Sequence, residues 1–262
     1  MSVINNPTNV KSQYTKDANL AQRISLHTKY STNKQGLVPF LFTQYEFTEG
    51  MRILELGCGN GAQWENRDLP ENCTLILTDL SGGMVDITRQ KYADNHKITV
   101  EIADIQALNY PPESFDAVIA NHMLYHVPDI AVAIREVHRV LKFGGKFYAA
   151  TNGDGGMKPT LQQAFASIDV HTTKFGEPFA FSLGNGETQL RKCFCEVICR
   201  LYEDSFSITK TQDLLDYARS TISLFDCAEE DITKLYNYFE KIRVENGAIN
   251  IAKEVGLFIS TK

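Results

Sequence analysis

No apolar run in this chain approaches membrane length, and no charged-then-apolar leader follows Met1. The expectation is a soluble, cytoplasmic protein, monomeric or homodimeric, with no membrane partner. Basic residues are not in excess either. Lys and Arg number 26 against 32 Asp and Glu, a net charge of −6. Nucleic-acid binding leans on Lys and Arg, so no nucleic-acid partner is expected, although a local basic patch remains compatible with this balance. The six cysteines contain no C-x-x-C pair, and no His or carboxylate cluster has convergent ligand spacing, so no metal is expected. Cys193, Cys195 and Cys199 have the spacing of one strand face and read as buried, reduced thiols. Cys73 and Cys227 are isolated, and a disulfide framework is not expected. Internal repeats and low-complexity stretches are absent.

What is present is an ordinary globular composition, 43% hydrophobic over 262 residues, enough for one large α/β domain with insertions. Its most informative stretch is Ile53-Leu-Glu-Leu-Gly-Cys-Gly-Asn-Gly-Ala62. An apolar strand carrying one acid, Glu55, breaks into three alternating glycines. Such a turn at the carboxyl end of a parallel strand lets a nucleotide-like ligand approach the backbone. Two readings compete. Gly57-x-Gly59-x-x-Ala62 satisfies the dinucleotide fingerprint, with Asp79 about 20 residues on for ribose hydroxyls. Against it, Glu55 would sit badly beside a pyrophosphate.

The second reading is that Glu55 to Gly61 resembles motif I of the class I S-adenosylmethionine methyltransferases. Four further segments match that family in order. Thr74–Asp79 is a second strand ending in an acid, followed by Ser81-Gly-Gly-Met84. Ile98–Asp104 is a third strand ending in an acid. Ser114–Asn121 is a fourth, running into His122-Met-Leu-Tyr-His126. Glu136–Gly145 ends a helix and turns into strand Lys146–Ala150. The resemblance implies S-adenosylmethionine as cofactor and S-adenosylhomocysteine as product. Its glycines would admit the methionine part, Glu55 would order the loop or the ligand ammonium, and Asp79 would accept from the ribose hydroxyls. Asp104 and Ile105 would meet the adenine, with Met84 against its face. Cofactor contacts are accordingly expected from Tyr14, Glu55, Gly57, Cys58, Gly59, Asp79, Leu80, Met84, Asp104, Ile105 and Asn121.

The implied fold is α/β: a doubly wound, seven-stranded, mostly parallel sheet, with an N-terminal helical lid over residues 1–50 and a methyltransferase domain over 51–262. Strand–helix alternation from Arg52 to Thr151 supports it. The helix Asp129–Leu141 shows Ile130, Ile134, Val137 and Leu141 as one stripe, with Asp129 as cap and Gly144-Gly145 as stop. Later strands are expected at 196–202 and 249–259, the last as an edge strand or hairpin, with a helical insertion over 204–246 between them. Helices are expected at Asp17–His27 and Gly36–Tyr45, bringing Tyr14, Tyr30 and Trp64 towards the ligand or into ordinary packing.

The chemistry implied is in-line attack on a sulfonium methyl, for which the protein must orient the reactants and exclude water. His122 and His126 are the candidate general bases; each has packing as its alternative role. His27, His96, His138 and His171 have no constellation around them. The acceptor should be a small molecule. The Asp79–Met84 step and the His-x-x-x-His loop resemble the quinone-biosynthesis and natural-product branch, and the Asn-Pro-Pro-Tyr tetrapeptide of nucleic-acid enzymes is missing at Asn121. An RNA methyltransferase, a non-catalytic binding protein and an NAD-dependent oxidoreductase stay open as alternatives. Phe165, Phe175, Phe179 and Phe181 either line an apolar acceptor pocket or pack in the core. The glycine-rich loop Asn152–Gly156 is expected to move on substrate binding.

Overall fold

The structure is a computed structural model that describes residues 17–170, 179–220 and 227–262. In chain order the elements are α1 (Asp17–Tyr30), α2 (Leu37–Gln44), β1 (Arg52–Leu56), β2 (Thr74–Asp79), α3 (Gly82–Lys91), β3 (Ile98–Ile102), β4 (Phe115–Ile119) and α4 (Ile130–Val140). Then come β5 (Leu141–Asn152), α5 (Met157–Ser167), α6 (Gly186–Leu190), β6 (Glu196–Ile208), α7 (Thr211–Arg219), α8 (Glu229–Asn246) and β7 (Ile249–Thr261). Single 3-10 turns follow β1 at Ala62–Trp64 and β4 at Leu124–His126.

The seven strands run in the order β3-β2-β1-β4-β5-β7-β6. All neighbours are parallel except β7, which is antiparallel to both β5 and β6. Both faces of the central strands are covered, as a parallel sheet demands. Leu54, Leu56, Ile76, Val118, Phe147 and Ala149 join the α4 stripe in one core. Ile53, Leu75, Leu77, Ala117, Ile119 and Tyr148 point the other way, with Leu41 of α2 and Trp64. Period-2 alternation puts Glu55 on this second face, where an apolar side chain would be the ordinary occupant.

A third core sits under the outer half of the β6–β7 ribbon. Phe206, Ile208, Ile249 and Ile251 pack there against Leu26 of α1, Leu161 of α5, Leu214 of α7 and Leu235 of α8. This core explains two departures from expectation. β6 continues past Tyr202 to Ile208, because it stays in register with β7 along the whole ribbon. And β7 is no edge strand: its alternating half, 249–255, backs onto helices, while 256–260 is buried on both faces between β5 and β6.

α4 begins as expected, with Asp129 accepting from the Val132 N–H at 3.0 Å. It ends earlier, because Leu141 is already extended (φ −71°, ψ 139°) and opens β5; Gly144-Gly145 lie inside that strand. The cysteines also depart from expectation. Only Cys199 lies in β6, and Cys195 is exposed; Cys58 and Cys73 are the buried thiols, and none of the six forms a disulfide. Of the aromatic segment, Phe165 and Phe181 are core residues, and Phe175 falls outside the described residues.

The N-terminal segment is fastened to the far end of the chain. Ser31 pairs with Phe206 as an isolated bridge. Ser31 and Lys253 both donate to Asp204, whose side chain is 1% exposed. The Asn33 N–H adds a bond of 2.9 Å. Burial alone would raise the Asp204 carboxyl, but these donors outweigh it and hold it down at about 2. Removing one member of a buried pair strands the other. Lys253→Met should therefore lower stability to urea by ~3–5 kcal/mol, and Asp204→Asn added to it should restore most of that loss. A double variant as unstable as the single one would contradict the pairing.

Candidate functional site

The carboxyl ends of β1, β2, β3 and β4 lie side by side and carry the residues singled out in the sequence. After Leu56 the chain turns through Gly57, Gly59 and Gly61 at φ +71°, +56° and +70°, a region that side-chain-bearing residues rarely adopt. Two of the three are also sterically required. A Cβ on Gly57 would meet Met123 at 2.9 Å, and one on Gly61 would meet Thr88 and Tyr92 at 2.9 Å. A Cβ on Gly59 would meet nothing within 4 Å, so this glycine borders open space. Thr88 and Tyr92 of the α3 region donate to the Gly59 and Gly61 carbonyls at 2.8 and 2.7 Å, and the Cys58 N–H donates to Thr78 at 2.8 Å.

Asp79 closes the turn from the next strand. Its Oδ2 accepts from the Gly59 N–H at 2.9 Å and its Oδ1 from the Ser81 N–H at 2.8 Å. Burial raises its carboxyl above the usual range against the pull of these donors. Leu80 beside it is 39% exposed, Ile102 at the end of β3 is 62% exposed, and Met84 is buried. Asp104 accepts from the Gln106 N–H at 2.9 Å, and Ile105 is buried beneath it.

Glu55 is 2% exposed. Gln63 Nε2 donates to its Oε1 and Trp64 Nε1 to its Oε2. Burial pushes the carboxyl up to about 7 despite those bonds. Trp64 is thus a core side chain packed on Phe42, with its ring away from open space. Beyond β4, Asn121 Nδ2 donates to Tyr45 Oη at 2.8 Å and to Gln63 Oε1 at 3.1 Å. Among the described residues, Asn121 Oδ1 and His122 Nε2 are buried atoms with no hydrogen-bond partner. His122 adopts φ +54°, and its N–H donates to Ala150 at 2.8 Å. Burial pushes its imidazole down to about 4, so the ring is neutral at physiological pH. His126 stacks edge-on against Tyr125, with centroids 4.5 Å apart.

These elements bring together Glu55, Gly57, Cys58, Gly59, Asp79, Leu80, Asp104, Ile105, Asn121 and His122 along one sheet edge. Tyr14 lies outside the described residues. Tyr30 is drawn away, its hydroxyl donating to Asp213 of α7 at 2.7 Å. The glycine-rich loop is tied down: Gly153 and Gly155 donate to the backbone and carboxylate of Glu254 at 2.7 and 2.8 Å. Gln63 and Tyr45 were missed from the sequence. A buried acid needs donors close by, and Gln63, in the turn after Gly61, was a signal available for one of them. Tyr45 had none, since its approach depends on how α2 packs. Among the described residues no group of three His, Cys, Asp or Glu converges on a metal position, and no helix is long and apolar enough to cross a membrane.

Residues 54–149 match the family model described as methyltransferase domain. The chain is 30% identical over 131 residues to sterol 24-C-methyltransferase erg6 of Aspergillus fumigatus, covering 48% of this chain and 32% of that protein. It is 34% identical over 105 residues to the ubiquinone/menaquinone biosynthesis C-methyltransferase UbiE of Geobacter sulfurreducens, covering 38% of this chain and 41% of that protein. The chain therefore spans well under half the length of these two relatives. Among solved structures, the YcgJ protein of Bacillus subtilis shares the fold, with a TM-score of 0.60 at 16% identity over 86% of this chain and 97% of that one.

The buried acid makes stability pH-dependent. Because the folded-state value of Glu55 lies above its ordinary 4.5, the stability it permits is full below pH 4.5 and lost as pH rises through about 7. Its share is about 3 kcal/mol. Glu55→Gln should remove that share from a urea-unfolding series run across this range; an unchanged pH dependence would contradict the burial of an ionisable group there.

Proposed function

We propose that the chain, whose residues 54–149 match the methyltransferase domain, is a class I S-adenosylmethionine methyltransferase that methylates a small-molecule acceptor with S-adenosylmethionine as donor and S-adenosylhomocysteine as product. The observation that carries this proposal is the closed unit of glycine turn and Asp79. The turn is held open at Gly59 by a carboxylate from the neighbouring strand, with an unpartnered acceptor, Asn121 Oδ1, on its other side. A pyrophosphate would face the buried Glu55 carboxylate beneath this turn, whereas a ligand with a positive centre gains from it. These features fit the cofactor.

Asp79 would hold the ribose hydroxyls, Leu80, Met84, Asp104 and Ile105 the adenine, and Gly57, Cys58 and Gly59 the amino-acid part. Glu55 acts beneath the turn, through the donors it orders. When bound, S-adenosylmethionine supplies a methyl group on a positively charged sulfur, activated for in-line displacement. The protein's own work is then orientation and exclusion of water. His122 is the better-supported general base: its ring is neutral, its Nε2 has no hydrogen-bond partner among the described residues, and it lies in the loop after β4. His126 in the same loop is the second candidate. Tyr45, beyond α2, reaches Asn121, which supports residues 1–50 as a cover over the site.

The small-molecule class is supported by the two relatives, whose names place them in sterol and quinone chemistry. Six cysteines that form no disulfide support a reducing, cytoplasmic location.

Calorimetry should show binding of S-adenosylmethionine and S-adenosylhomocysteine, and none of NAD. Asp79→Ala should weaken the former by about 1–3 kcal/mol, the scale of hydrogen bonds to a charged group. NAD binding without S-adenosylmethionine binding would overturn the proposal, as would wild-type affinity in the Asp79 variant. Transfer of labelled methyl to a metabolite extract then identifies the acceptor.

A further inference from the structure

The amide groups near Glu55 form a chain with one possible direction. An ionised carboxylate only accepts, so Gln63 must turn its Nε2 towards Glu55. Gln63 Oε1 is then committed as an acceptor on its other side. Asn121 answers with Nδ2, spending one hydrogen on Gln63 at 3.1 Å and the other on Tyr45 Oη at 2.8 Å. Reversing either amide would set oxygen against oxygen. Asn121 Oδ1 is left over, buried and unpartnered among the described residues, although every other polar atom of this chain of contacts is used. A buried acceptor of this kind costs about 1–3 kcal/mol unless something donates to it.

Its position says what donates. β1 lies between β2 and β4, with Glu55 beside Leu77 on one side and Ile119 on the other. Asp104 and Asp79 stand at the ends of β3 and β2, the nucleoside side of the edge. Asn121 stands past the end of β4, across the glycine turn from them, where Met123 presses on Gly57. A ligand laid along this edge with its nucleoside over β2 and β3 brings its amino-acid end to Asn121. We propose that Gln63 is a positioning residue: it passes the direction of hydrogen bonding from Glu55 to Asn121, so that Asn121 Oδ1 is held as an acceptor for the ammonium group of the cofactor's amino-acid part. The assignment rests on the cofactor proposed above. It makes Asn121 the residue that touches the ligand, Gln63 the one that aims it, and Glu55 the fixed end of the chain.

A double-mutant cycle tests the relay. Binding of S-adenosylhomocysteine and of 5′-methylthioadenosine, which lacks the amino-acid part, is measured by calorimetry at about pH 8, where Glu55 is ionised. Gln63→Met and Asn121→Leu should each weaken S-adenosylhomocysteine about tenfold, and the double variant no more than the worse single. Methylthioadenosine affinity should be unmoved in all three. A merely structural role for Gln63 would weaken both ligands alike, and that outcome overturns the proposal. So do additive losses in the double variant, or wild-type S-adenosylhomocysteine affinity in either single variant. If Asn121→Leu does not fold by urea titration, Asn121→Ser replaces it in the cycle. Wild-type protein that binds neither ligand overturns the cofactor assignment itself, and the relay with it.

Discussion

A single carboxylate placed where a leucine would pack more cheaply organises this molecule. Taking an isolated charge out of water costs several kcal/mol, so Glu55 stays only if neighbouring groups donate to it. Gln63 and Trp64 do so, and both come from the 3-10 turn that follows the glycines. The acid therefore sets the path of the chain for ten residues after itself. Trp64 draws Phe42 and Phe47 into the core, Gln63 reaches across to Asn121, and Asn121 reaches Tyr45 beyond α2. The fit is incomplete, and burial leaves the carboxyl near neutrality. A core chosen for stability alone has no use for that arrangement; a site that must present polar atoms in a fixed direction does.

The sheet divides its labour along its width. The strands from β3 to β5 are parallel, the inner ones β1, β2 and β4 are buried on both faces, and β1 to β4 end together at the site. The β6–β7 ribbon extends past them and uses one face of its outer half as a floor for α1, α5, α7 and α8. The family match stops at residue 149, near the boundary between these halves. The strand ends that carry the candidate site lie in the matched half, and the outer part of the ribbon lies outside it.

The parallel half was legible in the sequence because its signals are local. Apolar runs of strand length ended in Gly57, Asp79, Asp104 and Asn121, and the helix over 130–140 showed its stripe and its Asp129 cap. The ribbon was less legible. Its register depends on pairing between residues some 40 to 65 positions apart, so the length of β6 and the interior place of β7 left little local trace. Gly144-Gly145 read as a helix stop because glycine pairs usually are, yet the strand had begun at Leu141, where Phe115 pairs with it. In the site, residue types at strand ends could be named from spacing, whereas the partners of Asn121, Tyr45 and Gln63, come from two separate segments and needed the fold to meet. For Tyr30 the sequence left two places open, beside the ligand or in ordinary packing, and the structure shows its hydroxyl donating to a carboxylate on α7.

The clamp of Ser31, Thr32 and Asn33 on Asp204, Ser205 and Lys253 joins residues about 170 to 220 positions apart. On a ribosome, α1 emerges well before β6 and β7, the strands on which it docks. Until β6 and β7 emerge, the apolar side of α1, with Leu26 and Tyr30, lacks the ribbon residues Phe206, Ile208, Ile249 and Ile251 of its core. The clamp can close only after β7 is in place. The parallel strands β1 to β5 are thus made before α1 can be fastened to the ribbon, and that fastening reports that β7 has been made.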